Sequence, residues 1–189
     1  MLEILVVLGV IGVLSGVAVP MIGATLGNFR LGGDAHNMTN AITVAKMRAA
    51  ATFSRSRLYV DRSTNTFHVE TYASATNTWT IDGGSTKLAT GDSFSVGVVT
   101  APPTNTQTVL GLAPACLDTA TPANAIANTS CIYFNSRGIP VDATTLNPTG
   151  NFALYVTDGA AVYGSTVSAT GSVRLWRTKY SSTPNWALQ

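Results

Sequence analysis

Few side chains in this chain are of types and at spacings that do chemistry. Glu3 is the one charged residue ahead of Arg30 and sits at the start of a long apolar run. A carboxylate that leaves water unpaired is costly, and pairing it with an ammonium recovers part of that cost. Cys116 and Cys131 flank a Thr/Pro/Ala/Asn-rich loop and are open to two states, a disulfide or a pair of free thiols. Arg174, Arg177 and Lys179 lie near Trp176, Tyr180 and Trp186. Cations of this kind supply phosphate contacts and aromatics stack on bases. On a strand, however, Arg174 and Trp176 share one face and Arg177 takes the other. One basic residue per face with a solvated tail is ordinary surface chemistry.

Catalysis has little to stand on. The two histidines are His36, in a helical pattern, and His68, which alternates with Glu70 along a strand pattern and reads as half of a surface pair. There is no Gly-x-Ser-x-Gly elbow, phosphate loop or zinc-helix motif. Two cysteines and two distant histidines match no metal-ligand spacing. Asp82, Asp92, Asp142 and Asp158 are scattered among turns. The expectation is a protein that is not an enzyme and carries no cofactor or metal. Asn37-Met38-Thr39 and Asn128-Thr129-Ser130 match the glycosylation sequon, a weak signal here.

The element that must position Glu3 is the amino-terminal run MLEILVVLGVIGVLSGVAVP. The uncharged stretch from Ile4 to Phe29 is about 39 Å long as a helix, against a hydrocarbon core of about 30 Å. Three readings compete. A secretory signal peptide has a basic start and a shorter apolar core, whereas this run starts acidic. A plain membrane anchor explains the length and leaves Glu3 without a role. In the third reading Glu3 is matched by a positive group on a neighbouring copy.

This run resembles the amino-terminal helix of type IV pilins and type II secretion pseudopilins. Glu3 matches the family glutamate and Pro20 falls at the family's spacing from it. The resemblance implies processing by a prepilin peptidase, methylation of the new amine, residence in the inner membrane and later assembly with copies of itself and related pilins in a helical filament. The family pattern also has a basic leader, a glycine at the cut site and an aromatic first mature residue. Met1 is therefore read as an internal methionine of a longer precursor or as a late start.

The physics of that arrangement stands by itself. Packed apolar helices form a low-dielectric interior, so a Glu3 that meets an incoming subunit's amine sets register. Gly12, Gly16 and Pro20 lie four apart. Pro20 removes a helical hydrogen bond and crowds the Gly16 carbonyl, and glycine is a weak helix former. Residues 12–20 are expected to lose helical order in a filament. Alternatively, Gly12 and Gly16 form a small-residue contact between helices.

Composition suits an exported protein. Charged residues make up 11% and the formal net charge is +2, so bulk charge names no partner. Export brings an oxidising compartment, which favours the Cys116–Cys131 disulfide over free thiols. Closing a loop of about 15 residues contributes about 3 kcal/mol in the chain-entropy model.

After Phe29 the pattern becomes amphipathic. Met38, Ala41, Ile42, Ala45, Ala49, Thr52 and Phe53 fall at helical spacing, with Gly32-Gly33 as a bend and Asp34 as a cap. From Arg57 the period changes to two. Strands are expected at 58–60, 66–72, 79–81, 94–99, 109–112, 131–134, 152–156, 161–167 and 172–177. Turns are expected at 62–65, 82–84 and 169–171, with Asp158-Gly159 as a two-residue hairpin. The organisation is a helix over 1–53, its first 29 residues apolar, and a head over 54–189. The fold class is α+β: a long amino-terminal helix, membrane-spanning in its first half and amphipathic in its second, packed on an antiparallel β-sandwich-like head.

Within the head, Phe134, Asn135, Arg137 and Gly138, with the later Gly171, Val173 and Arg174, are similar to the GspH/FimT group of minor pilins and pseudopilins. Some members of that group bind DNA through a Gly-Arg-x-Arg stretch near the carboxyl end. Here that stretch is Gly171-Ser172-Val173-Arg174, with Ser in place of the first Arg. Two functions follow. The first is a structural subunit of a type IV pilus-like or pseudopilus filament, held through Glu3, Gly12, Gly16 and Pro20. It would move from the inner membrane to a filament crossing the periplasm or reaching the cell surface. The second is a low-copy subunit at the filament tip that binds secreted cargo, or DNA through Arg174, Arg177 and Lys179. The tail from Tyr180 to Gln189 is open to docking on a neighbouring subunit.

Overall fold

The computed structural model describes residues 2–189, with side chains described at all of these except 2, 5 and 17–26. The mature amino terminus and the packing of the Pro20 ring therefore lie outside the described residues. One helix, α1 (Leu2–Ala51), runs straight into a head of ten strands. These are β1 (Ser56–Asp61), β2 (Thr66–Ala73), β3 (Thr78–Lys87), β4 (Ser93–Phe94), β5 (Thr129–Phe134), β6 (Pro140–Val141), β7 (Phe152–Thr157), β8 (Ala161–Val167), β9 (Val173–Lys179) and β10 (Ala187–Leu188). They form two five-stranded antiparallel sheets, in the orders β3-β2-β1-β5-β6 and β10-β9-β8-β7-β4. The class is α+β with two antiparallel sheets, as the alternating patterns imply. Among the described residues no helix is long and apolar enough to cross a membrane. The expectation of a spanning first half draws on the run 4–29, which includes the side chains of 17–26.

The head-bound half of α1 buries a single stripe. Leu31, Ala35, Met38, Ile42, Ala45 and Ala49 are all buried and belong to one core. Their three- and four-residue spacing keeps them on one helix face. The inner residues of the first sheet (Leu58, Val60, Phe67, Val69, Ile132 and Phe134) and of the second (Leu154, Val156, Tyr163, Val167 and Leu175) close on that stripe. Two expectations for this helix are corrected. Asp34 makes no cap, because the helix is continuous through it and through Gly32-Gly33. Instead the Asp34 carboxylate accepts the Ala89 N–H at 2.6 Å. Thr52 and Phe53 are not part of the buried stripe. The helix ends at Ala51, Thr52 folds back onto the Arg48 carbonyl, and Phe53 has φ 50° with its ring 85% exposed.

Several turns also differ from the sequence pattern. Asp82-Gly83-Gly84 is not a turn; β3 continues through it with a bulge opposite 67–69, and Gly83 takes the positive φ of 92°. The strand expected over 94–99 stops at Phe94. The chain turns at Gly97 (φ 59°), where a Cβ would stand 2.1 Å from the Tyr180 ring, so this close approach requires glycine. Residues 109–112 form no strand. The β7–β8 connection is wider than a two-residue hairpin, since Thr157 pairs with Val162. Asp158 supports it by accepting the N–H groups of Ala160 and Ala161.

The outer face of the second sheet is also covered. Ala153, Tyr155 and Val162 are buried beneath Val96, Val99, Leu110 and Leu112 and the tail residues Tyr180 and Trp186. The Trp186 indole N–H donates to the Ala101 carbonyl at 2.9 Å, and β10 pairs with β9. The tail thus folds onto its own head, which corrects its reading as a segment free to dock on a neighbour.

Candidate functional site

Two surfaces bear on function, and both begin at α1. In the first half of the helix, Ile4, Val6, Val7, Leu8, Val10, Ile11, Val13 and Leu14 are all more than half exposed. At 100° per residue these positions go round the whole helix rather than along one stripe. Gly9, Gly12 and Gly16 face open space, with nothing within 4 Å of where a Cβ would stand. Glu3 is exposed at the tip. The backbone of α1 is helical across 12–20 in this single chain, so the loss of helical order expected in a filament has no counterpart here.

The second surface is the seam where α1 meets both sheets. Asn135 closes the β5–β6 turn, its side-chain oxygen accepting the N–H groups of Arg137 and Ile139. Gly138 follows with φ 71°. The β8–β9 turn ends at Gly171 with φ 75°. These two turns, one from each sheet, meet over Lys46. Its ammonium donates to the Gly171 carbonyl at 2.9 Å, and a Cβ on Gly171 would stand 3.0 Å from the Gly138 carbonyl oxygen. The motif residues Asn135, Gly138 and Gly171 therefore build a clasp around a helix lysine, while Phe134 is buried in the core beside them. Lys46 itself had no role in the sequence reading. Nothing in the helical pattern set it apart from the other polar residues of this half, such as Asn40 and Arg48.

The three residues proposed for DNA do not share one surface, since Arg174 lies on one face of β9 and Arg177 and Lys179 on the other. Arg174 lines a polar cavity of about 270 Å³ with Asn105, Asn151 and Ser172. Arg177 points to the other face, its guanidinium 5.6 Å over the Tyr163 ring and near His36 on α1. Lys179 is exposed at the strand end. The aromatics are engaged internally: Trp176 donates to Thr166, Trp186 packs on Tyr155, and Tyr180 lies over Gly97. They are not free platforms for bases.

The outer face of the first sheet holds a cluster that the sequence reading reduced to a surface pair. Arg57 and Glu70 are cross-strand partners, as are Tyr59 and His68. Arg57 Nε meets the Glu70 carboxylate at 2.5 Å, and its other donors reach the Leu117 carbonyl and the Tyr133 hydroxyl. The guanidinium lies 4.2 Å from the Trp79 ring centroid. His68 Nε2 is 3.1 Å from the other Glu70 oxygen. Burial pushes the Glu70 carboxyl up, but the hydrogen bond with His68 and the charge of Arg57 outweigh it, so it sits below the usual range. Both Glu70 oxygens and the Arg57 guanidinium are thus engaged within the cluster, which ties β1 to β2, to β5 and to the Leu117 segment. Cys116 and Cys131 are joined beside it and pack with Tyr133 and Val141. Among the described residues no group of three or more His, Cys, Asp or Glu side chains could hold a metal ion. Of the two sequons, Asn37 lies on the exposed side of α1, and Asn128 takes φ 57° while its carbonyl accepts the Arg62 N–H.

No family model matches this chain, and no curated protein does. Two solved structures do, both of the minor pseudopilin EpsH from the type II secretion system of Vibrio cholerae. The chain is similar to a minor pseudopilin. In the first, a crystal structure, identity is 12%, 82% of this chain and 95% of that one are covered, and the TM-score is 0.45. In the second, identity is again 12%, coverage is 85% and 96%, and the TM-score is 0.37.

Proposed function

We propose that the chain is a structural subunit of a helical filament of the type IV pilus or type II secretion pseudopilus kind. The observation that carries this reading is the start of α1, where Ile4, Val6, Val7, Leu8, Val10, Ile11, Val13 and Leu14 are exposed on every side of the helix. A helix that is hydrophobic all round is stable only inside an apolar assembly or a bilayer. The head leaves it no such partner, so other copies and related pilins supply one. The inner membrane holds the same helix before assembly, after a prepilin peptidase has processed the precursor and its new amine has been methylated. Glu3 then sets register by pairing with a neighbouring subunit's amine, because a carboxylate among packed apolar helices demands a cation.

The test is Glu3→Ala, read in sheared surface filaments by quantitative mass spectrometry. Losing one partner of a buried pair costs about 3–5 kcal/mol, so filament yield is expected to fall by at least about tenfold, with the melting temperature of the head unchanged. Normal yield would remove the pairing role. Failure to find the chain in any sheared or membrane-pelleted filament would remove the filament reading itself.

A further inference from the structure

The seam between α1 and the head contains two carboxyl groups that the filament reading does not use. Asp34 lies three residues into the buried half of the helix, and Asp92 lies in the segment 88–92 that carries the chain from β3 of one sheet to β4 of the other. Asp34 is 9% exposed and Asp92 7%. Asp34 Oδ2 accepts the Ala89 N–H at 2.6 Å, and the Asp92 N–H donates to the Ala89 carbonyl at 3.1 Å. Asp92 Oδ2 is fully buried and has no donor. A buried carboxylate oxygen without a donor costs a large part of its hydration, and the group beside it is another carboxylate, which as an anion only accepts. A proton held between the two carboxyl groups resolves both problems, since it removes one buried charge and supplies a donor.

We infer that Asp34 and Asp92 share one proton and form a latch that ties α1 to the 88–92 crossover, closed when the proton is present and loosened when it leaves. The charged groups facing Asp92 are consistent with this. Burial pushes its carboxyl up, as do the hydrogen bond with Asp34 and the charges of Asp34 and Asp158, while Arg30 on α1 acts in the opposite sense; the net position is about 7. A carboxyl raised in the folded state keeps its proton where the unfolded chain has lost it. Stability is therefore highest below the ordinary carboxylate range and falls as pH rises through about 7. This is the reverse of a salt-bridged aspartate.

The experiment uses the full chain in detergent, melted at about pH 5 and about pH 8.5. The unmodified protein should melt several degrees lower at the higher pH. Asp92→Asn places a permanent donor next to Asp34, and should raise the melting temperature at the higher pH and flatten the dependence. Infrared titration of the unmodified chain should show a protonated carboxyl band that disappears near neutrality, and this readout survives a variant that fails to fold. An unchanged pH dependence in Asp92→Asn would overturn the latch, as would a carboxyl band that is gone well below neutrality. If added calcium restores the melting temperature of the unmodified chain at the higher pH but not that of Asp92→Asn, the pair holds a cation and the proton latch is wrong.

Discussion

The two halves of α1 differ in what their apolar residues see. From Leu31 onward one stripe is buried against two sheets and the rest of the surface is polar or exposed. Between Ile4 and Leu14, the described Val, Leu and Ile residues point in every direction into open space. Both halves are helical, but Glu3 is the one charged residue ahead of Arg30, whereas Asp34, Lys46 and Arg48 follow it. Periodicity adds the geometry: a stripe describes a helix whose partner lies on one side, and an all-round pattern describes one whose partners surround it. A single element is thus built for two environments, with the boundary near Arg30.

The sharpest way to break this comparison is the same substitution made in each half. Ile42→Asp puts an unpaired carboxylate into the core, at an expected cost of about 4 kcal/mol or more, and thermal melting should show a head that is largely unfolded. Ile11→Asp should leave head melting unchanged and abolish filament incorporation. If Ile11→Asp destabilised the head, the two halves would not be independent. A smaller effect is expected at the clasp. Lys46→Met keeps most of the helix packing but leaves the Gly171 carbonyl without its donor, for a loss of about 1–3 kcal/mol, measured by chemical denaturation. The smallest lies far from the helix, in the β1–β2 turn. Asp61 accepts the Ser63 hydroxyl at 2.6 Å and the backbone N–H groups of Ser63 and Thr64. Those bonds, that of the Ser63 hydroxyl foremost, hold its carboxyl down at about 2. Its contribution is present above the ordinary carboxylate range and lost as pH falls through about 2. Because the site is solvated, Asp61→Asn should cost about 1 kcal/mol or less near neutrality, and the difference from the unmodified protein should vanish in strong acid.

Much of this architecture was legible because it follows from local periodicity. The buried positions Met38, Ile42, Ala45 and Ala49 were readable from spacing, and Leu31 and Ala35 continue the same series, obscured by the glycine pair between them. The hairpin β1–β2 was readable from alternation around a polar turn. Legibility failed where long-range contacts decided the outcome. Gly83 reads as a turn locally, yet cross-strand pairing with β2 makes it a bulge. Residues 95–99 look like a strand, yet the Tyr180 ring, some 80 residues on, is packed against them. Arg57, Glu70 and His68 were visible as alternating polar residues, but only the strand register brings them into one cluster. The same holds in reverse for Arg174 and Arg177: close in sequence, they are put on opposite faces by the pleat of β9, with Lys179 on the side of Arg177.

Lys46 binds a main-chain oxygen, not a side chain, and this shapes how the sequence is free to drift. Residues beside the contact, such as Thr170 and Ser172, contribute nothing to it that another side chain would not. Gly138 and Gly171 are constrained twice, by positive φ and by the space they leave, Gly138 for Lys46 and Gly171 for the Gly138 carbonyl and the lysine. A saturation scan read by folding alone would therefore show two intolerant glycines and one intolerant lysine amid permissive neighbours, a signature of the kind ordinarily ascribed to ligand binding, produced here by the mooring of a helix.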